Sequence, residues 1–258
     1  MTKDIFIKDI MVKPATIAKS AKITEALDKM LAEGADPLIA VNNNTVVGTV
    51  SRKAIAEKLG SRQNSSIAPT AIHVASVVKE DFTSVYPDES VNVLVPLLQH
   101  YKLVVVYNSD HKLIGQVGAG DLLKKYQPDG NLDAAMEKAV TIEAEERVVH
   151  LRRRMLDDNI TRFIVSEHDK YTGIVTETDV AIAMRKFRES VTGNHQDHQI
   201  RTLLVKDIMS SPLLSVDRTA SVADVVKVML KKNISSVPVM DKGKLAGIVT
   251  RSSLVNAL

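Results

Sequence analysis

The sequence predicts an α/β (α+β) protein that contains four copies of one β-α-β-β-α unit. Three observations support this prediction: a glycine recurs at a fixed distance from an anchor residue, a helical pattern of apolar residues lies between the two, and a β-hairpin surrounds each glycine. With 258 residues the chain can bury a hydrophobic core without metal or disulfide support.

The recurring glycines open the segments GTVSRKA, GQVGAGD, GIVTETD and GIVTRSS. Each glycine follows its small or apolar anchor residue by 37 or 38 positions. The anchors and their glycines are Met11 and Gly48, Val78 and Gly115, Met136 and Gly173, and Met209 and Gly247. Spacing this constant indicates an internal repeat.

The helices and strands of the unit follow from local patterns. A helix-like stripe of apolar residues opens 12 or 13 positions after each anchor, and the segment SSVPVMDKGKLAGIVT shows the hairpin most clearly, with its turn at Asp241-Lys242-Gly243. A second helix is predicted after each glycine segment, at 52–59, 121–126, 178–187 and 252–258. Pro96 lies within the first helix of unit two, where it should kink or restart that helix.

The predicted units span residues 1–60, 71–127, 132–188 and 203–258. One unit of this size cannot easily cover both faces of its sheet, so neighbouring units should pair. The polar links at 60–70 and 188–202 are long, whereas the link QPDGN at 127–131 is short. This pattern predicts two modules, 1–126 and 132–258.

Composition excludes several classes of function. Cysteine is absent, so disulfides, cysteine nucleophiles and cysteine-based metal sites are excluded, and no metal site is predicted. No segment resembles a signal peptide or a membrane helix, and we expect a cytoplasmic protein without a membrane partner. Lys and Arg number 15 against 13 Asp and Glu in residues 1–126, and 19 against 18 in the remainder, which makes nucleic acid an improbable partner. The pair His195 and His198 is interpreted as part of a solvated loop.

The KDIM openings, the SSVPVMD and LAGIVT strands and the glycine–Thr-x-x-Asp junction resemble the cystathionine-β-synthase (CBS) domain, whose units pair into Bateman modules. Four such units resemble stand-alone archaeal proteins with four CBS domains and the gamma subunit of AMP-activated protein kinase. The resemblance implies a flat disc of two modules. It also implies that an adenine nucleotide (AMP, ADP or ATP) binds between paired units as a regulatory ligand, with no obligatory cofactor.

The resemblance implies ligand-binding residues mainly in unit three. There Thr176 would contact phosphate, Asp179 the ribose, Thr141 the base or sugar, and Arg162 the phosphates, with Phe163 next to it in the strand FIV. A helix start suits an anionic phosphate, because its free N–H groups and dipole carry partial positive charge.

Unit two keeps part of the same pattern. Asp121 retains the ribose-binding acid, Gly118 replaces the hydroxyl residue, and Ser84 and Lys102 are the further candidates. We therefore expect a weaker site in unit two than in unit three.

Units one and four lack the acid, since Ala54 and Ser253 stand in its place, and their clefts are expected to be empty or structural. The motif Thr176-x-x-Asp179 also has the form of a helix capping box, and both roles can coexist in one residue.

The leading functional hypothesis is a regulatory, non-catalytic adenine-nucleotide sensor that changes a partner surface when its ligand binds. The alternatives are a protein-interaction or nucleic-acid-binding scaffold with vestigial clefts, and a sensor of S-adenosylmethionine. An enzyme is not expected, because the sequence contains none of the nucleophile, phosphate-loop or zinc-protease motifs. An unknown protein target and a homodimer are possible partners.

Overall fold

A computed structural model describes residues 5–61, 67–128, 130–190 and 202–258. Within these ranges the chain forms eight α-helices and four small sheets, which confirms the predicted mixture of helices and strands. His195 and His198 lie outside the described residues.

The first two units have the predicted element order. Unit one contains β1 (Thr16–Ala18), α1 (Ile23–Glu33), β2 (Leu38–Asn42), β3 (Thr45–Val50) and α2 (Arg52–Gly60). Unit two contains β4 (Thr83–Val85), α3 (Leu94–His100), β5 (Leu103–Tyr107), β6 (Leu113–Gly118) and α4 (Ala119–Leu123). In each unit the first strand is parallel to the second, and the second is antiparallel to the third.

The last two units repeat this order with one additional strand. Unit three contains β7 (Met136–Glu137), β8 (Thr141–Glu143), α5 (Val148–Asp157), β9 (Arg162–Glu167), β10 (Lys170–Thr176) and α6 (Glu177–Ser190). Unit four contains β11 (Val216–Asp217), α7 (Val222–Lys231), β12 (Ser236–Asp241), β13 (Lys244–Thr250) and α8 (Arg251–Asn256). Strand β7 joins the sheet of unit four by pairing with β13.

Unit two departs from the predicted helix boundaries. Its second helix was expected at 121–126, but α4 covers Ala119–Leu123, so it begins earlier and is shorter. The interruption predicted at Pro96 is confirmed: a 3₁₀ turn covers Val91–Val93 and α3 restarts at Leu94. Pro96 then lies in the first turn of α3, where the missing N–H removes no helical hydrogen bond.

The opening segment of each unit pairs with the last strand of the neighbouring unit. Val12 bridges to Gln116 of unit two, and Lys79 bridges in return to Thr49 of unit one. The second pair is joined by the bridge between Ile174 and Ser210 and by the pairing of β7 with β13. These crossings join units one and two into one module, and units three and four into the other.

The recurring glycine lies at this crossing. A Cβ atom on Gly48 would lie 2.3 Å from the carbonyl oxygen of Lys79, and one on Gly247 would lie 2.7 Å from that of Glu137. Real Cβ atoms do not approach a backbone oxygen so closely, since the two would overlap. The glycine is therefore required by the neighbouring unit's opening segment.

The hydrophobic cores run across the two modules. One core combines the helices of units one and three, including Ile55 and Leu59 of α2 with Val180 and Met184 of α6. A second core combines units two and four, including residues of α4 and α8. The two modules therefore bury their helical faces against each other.

Candidate functional site

All four units meet around a central cavity of about 440 Å³. Each unit contributes the segment between its first helix and the following strand, together with the start of its second helix. This arrangement places the starts of the second helices of all four units around one volume. The cavity is therefore suited to an anionic group.

Five cationic side chains line the cavity: Arg52, Lys102, Lys124, Arg162 and Arg251. Lys102 forms an ion pair with Glu177 at 3.3 Å, and Lys124 pairs with Asp121 at 2.9 Å. In the described parts of the chain the three arginines form no such ion pair with a carboxylate. Three guanidinium groups from three units thus share one cavity without a contacting counter-ion.

Arg52 and Arg251 occupy equivalent positions and are anchored in the same way. Nη2 of Arg52 donates to the carbonyl oxygen of Met30 at 2.8 Å, and Nη2 of Arg251 donates to that of Met229 at 3.1 Å. In both side chains Nε is buried and has no hydrogen-bond partner among the described residues. Burial lowers the pKa of Arg251, and the carboxylate of Asp121 opposes this shift.

Arg162 is the cation that reaches two sites. It lines the central cavity and also a separate cleft of about 220 Å³. Its Nε donates to the hydroxyl of Thr161 at 3.1 Å, while Nη1 is buried without a partner in the described chain. Burial lowers the pKa of Arg162, and the carboxylates of Glu177 and Glu137 oppose this shift. A buried, incompletely bonded guanidinium is a strong candidate for contact with a phosphate.

The separate cleft lies between units three and four. Val140, Ile164 and Ile248 supply apolar walls, and Thr250 and Ser252 supply hydroxyl groups at the start of α8. The unit-four cleft, which was expected to be empty or structural, is an open and partly apolar space in the structure. The resemblance implied that Arg162 contacts phosphates in the unit-three site, and the structure places it against both the central cavity and this unit-four cleft.

The carboxylate of Asp179 is engaged in a helix cap. Its Oδ2 accepts from the backbone N–H and the hydroxyl of Thr176 at 2.8 and 2.7 Å, and its Oδ1 accepts from the hydroxyl of Ser210 at 3.1 Å. Thr176 also lines the central cavity. The structure therefore contains the capping box, and Ser210 of unit four completes it.

Asp121 has the same position in unit two. Its Oδ2 accepts from the backbone N–H of Gly118 at 3.1 Å, and its Oδ1 accepts from Lys124 at 2.9 Å. Asp121, Lys124 and the predicted residue Lys102 all line the central cavity. The cavity therefore brings Asp121, Lys102, Arg162 and Thr176 together.

Three predicted residues lie elsewhere. Phe163 is fully buried in the core of units one and three, with the guanidinium of Arg154 4.7 Å from its ring centroid, so its side chain faces no cleft. Thr141 is exposed on β8, and its carbonyl oxygen accepts from Arg154 at 3.2 Å. Ser84 is exposed on β4.

Sequence reasoning missed Arg52, Arg251 and Glu177 as cavity residues. All three directly follow the hydroxyl residue of the junction, in SR, TR and TE. The signal was therefore present in the aligned repeats, as a charged residue at one recurring position. Whether this charged side chain points into the cavity depends on how the modules pack, and the repeat pattern does not indicate that packing.

The described residues contain no group of three or more His, Cys, Asp or Glu side chains placed to hold a metal ion. None of the helices in the described ranges combines the length and apolar character that a bilayer crossing requires.

Comparison with known proteins identifies the repeated unit. The CBS domain family matches residues 7–61, 74–127, 132–186 and 205–258. Protein MJ1404 of Methanocaldococcus jannaschii, which is uncharacterized, is 26% identical over 98% of this chain, and the match covers 60% of MJ1404. The uncharacterized protein MK0525 of Methanopyrus kandleri is 31% identical over 48% of this chain, and 59% of its length is matched. The chain thus spans about three fifths of these two relatives.

A solved structure covers the whole arrangement. The crystal structure of protein MJ1225 from Methanocaldococcus jannaschii, described as a candidate archaeal homologue of g-AMPK, matches with a TM-score of 0.79 and 20% identity. The match covers 98% of this chain and 99% of that chain. At this identity the likeness establishes the shared fold.

Proposed function

Because this chain belongs to the CBS domain family and carries four copies of the domain, we propose that it is a non-catalytic regulatory protein that binds adenine nucleotides. AMP, ADP or ATP would bind with the adenosine part between paired units and the phosphates toward the central cavity. The observation that carries the proposal is the convergence of Arg52, Arg162 and Arg251 on that cavity without contacting carboxylates.

The phosphate part of the proposal rests on electrostatics. Moving a cation out of water is costly unless an opposite charge or hydrogen bonds replace the lost solvation. Burial lowers the pKa of both Arg162 and Arg251, which is the expected sign of this cost. An anionic ligand in the cavity would relieve it, and arginine can bind phosphate through two N–H groups at once.

The adenosine part rests on the cleft of units three and four. Its apolar walls suit the faces of a base, and its hydroxyl groups suit a ribose or a phosphate. Because Arg162 lines both this cleft and the central cavity, one ligand could fill the cleft with its base and reach the cavity with its phosphates. This geometry supports a nucleoside phosphate over either a base or a phosphate alone.

The carboxylates of Asp179 and Asp121 mark two further positions where a ribose could bind. Each carboxylate lies at the start of a helix, where it could exchange one present partner for a ribose hydroxyl: Ser210 in the case of Asp179, and Lys124 in the case of Asp121. We rank Asp179 first, since the hydroxyl of Thr176 lies beside it, whereas Gly118 offers none. The proposed site comprises the three cavity arginines and the candidates of units three and two: Arg52, Arg162, Arg251, Thr176, Asp179, Lys102 and Asp121.

The test is calorimetric titration of adenosine, AMP, ADP, ATP and S-adenosylmethionine into the wild-type chain, Arg162→Gln and Arg153→Gln. Arg153 is the matched control, because its side chain is exposed (81%) and it lies outside the cavity. Loss of a charged hydrogen bond costs about 1.5–3 kcal/mol, or roughly ten- to a hundredfold in affinity. We expect Arg162→Gln to weaken ATP by this factor and to leave adenosine nearly unchanged.

Three results would contradict the proposal in whole or in part. Absence of heat with every adenosine ligand would favour a protein-interaction scaffold. Binding of S-adenosylmethionine alone would indicate a sensor of S-adenosylmethionine instead of a nucleotide sensor. Equal weakening of adenosine and ATP in Arg162→Gln would separate Arg162 from the phosphates.

A further inference from the structure

Glu177 is an exception to the charge pattern of the central cavity. The residue that follows the hydroxyl position is Arg52 in unit one, Arg251 in unit four and Ala119 in unit two, but Glu177 in unit three. All four positions line the cavity. One of the four equivalent positions therefore carries an acid in a place where two others carry a base.

The carboxylate of Glu177 contacts one cation and acts electrostatically on a second. Its Oε1 lies 3.3 Å from Nζ of Lys102, which belongs to the other module. Its negative charge also acts on Arg162 and opposes the lowering of that residue's pKa by burial. The side chain of Glu177 is 14% exposed, whereas that of Lys102 is 51% exposed. The acid is thus mostly buried in the cavity, and its partner is half exposed.

We propose that Glu177 is a resident anion that competes with the phosphates of an incoming ligand for Lys102 and Arg162. This inference rests on the proposed function, because it concerns the same cavity, and it adds what sets the charge preference of that cavity. A ligand with few negative charges can bind beside Glu177, whereas a ligand with several must displace or tolerate it. Like charges placed side by side repel each other, so Glu177 should disfavour the more highly charged ligands.

Displacement of Glu177 would also change the contact between modules. The pair of Lys102 with Glu177 joins unit two to unit three, so a phosphate that takes Lys102 removes one ion pair between the modules. Lys102 and Glu177 come from different modules, and their separation depends on how the modules pack. A ligand that takes Lys102 from Glu177 would therefore bind more tightly to an arrangement in which this pair is separated, which is the requirement for a ligand-driven change.

A simpler interpretation is that the pair only stabilises the interface. The two interpretations differ in the effect of removing the acid. If the pair is structural, Glu177→Gln loses a contact and anion binding is unchanged or weaker. If Glu177 competes with ligand phosphates, Glu177→Gln binds anions more tightly.

The experiment uses inorganic tripolyphosphate, because it carries the charge of a triphosphate without a nucleoside. Calorimetric titration would compare the wild-type chain, Glu177→Gln, Glu177→Ala and the control Glu145→Gln. Glu145 also forms an ion pair, at 2.6 Å with Lys206, but it lies outside the cavity. We expect both Glu177 variants to bind tripolyphosphate at least about tenfold more tightly than the wild type and Glu145→Gln. Circular dichroism would verify that each variant is folded.

ATP and AMP titrated into the same proteins separate this inference from the proposed function. The expected result is a larger gain for ATP than for AMP in Glu177→Gln. If tripolyphosphate binds none of the proteins, or binds all of them equally, the role of Glu177 is overturned. If nucleotides bind but the ratio of ATP to AMP affinity does not change, the sensor function survives and the inference fails. If tripolyphosphate discriminates while no nucleotide binds, the inference stands and the nucleotide function fails.

Discussion

A Cβ atom built on Gly173 would lie 2.7 Å from the carbonyl oxygen of Ser210, which belongs to the opening segment of the neighbouring unit. Two hydrogen bonds join the same backbones: the N–H of Ile174 donates to the carbonyl oxygen of Ser210 at 3.0 Å, and the N–H of Ser210 donates to the carbonyl oxygen of Ile174 at 2.9 Å. A larger residue at this glycine would separate the two backbones and weaken both hydrogen bonds.

We expect Gly173→Ala to lower the free energy of unfolding by about 1–3 kcal/mol, the usual cost of overpacking. Gly115→Ala is the matched comparison, because the nearest backbone oxygen there, that of Val12, would lie 3.3 Å from the new Cβ. Urea denaturation of both variants measures the difference. Equal destabilisation by the two substitutions would show that the backbone approach is not the cause.

Asp179→Ala should have two separable effects. Loss of the helix cap should cost about 0.5–2 kcal/mol of stability, and loss of a charged hydrogen bond to a ribose should weaken nucleotide binding roughly ten- to a hundredfold. Asp224→Ala is the control, since Asp224 accepts from the hydroxyl of Ser221 at 2.7 Å, as Asp179 does from that of Thr176, but Asp224 lies at the start of α7 and not at a glycine–Thr-x-x-Asp junction.

Thermal denaturation and calorimetry on both variants separate the cap from the site. The cap interpretation alone predicts that Asp179→Ala and Asp224→Ala lose similar stability and that neither changes ligand affinity. A selective loss of affinity in Asp179→Ala would assign the ribose contact to this residue.

Ser253→Asp should improve the cleft of units three and four. Ser253 is buried, and its hydroxyl accepts from the backbone N–H of Thr250 at 2.9 Å, just as Asp179 accepts from that of Thr176. An aspartate could keep this cap and add an acceptor for ribose hydroxyls. We expect the substitution to tighten nucleotide binding in this cleft about tenfold.

Calorimetric affinity and stoichiometry are the measurements, with Ser253→Ala as the control that removes the hydroxyl without adding a charge. Unchanged affinity and stoichiometry in Ser253→Asp would argue against a ribose at this position. A gain in both variants would point to a change in cleft shape instead.

Arg188→Met should weaken the contact between the modules. The buried guanidinium of Arg188, on α6 of unit three, donates through Nη1 to the carbonyl oxygen of Leu59 at 3.1 Å and through Nη2 to that of Ile67. Burial lowers the pKa of this arginine. Methionine would fill similar space but leave both carbonyl groups unsatisfied, at a cost of about 1–3 kcal/mol for a buried group.

Urea denaturation of Arg188→Met against Arg153→Met, which changes an exposed arginine, measures this cost. A loss no greater than that of Arg153→Met would mean that water replaces the guanidinium at both carbonyl oxygens.

The repeat, its element order and the pairing within modules could be predicted from the sequence. These features depend on local patterns: the spacing of Gly48 from Met11, the apolar stripe of α7, and the need of one small sheet to be covered. The end of α4 was predicted less accurately, because residues 119–126 contain no residue that clearly ends a helix.

The composition of the site could be predicted only in part. Arg162, Lys102, Thr176 and Asp121 line one cavity, whereas the resemblance placed them in two sites, one in unit three and one in unit two. The sequence did not indicate that Lys102 already has a partner in Glu177, since the two residues are 75 positions apart and belong to different modules. Phe163 was predicted as a site residue because it follows Arg162 directly. Neighbouring side chains of a strand point to opposite faces, so the side chain of Phe163 lies in the core.

The shared cores have a consequence for half of the chain produced alone. Module 1–126 contributes Ile55 and Leu59 to one core and Leu122 to the other, and in the intact protein the second module covers all three. Without that cover, a half-length protein would present two apolar helical faces to water. Such a half-length protein should associate with a second copy of itself. The dimer would pack two identical modules in the way that the full chain packs its two different modules.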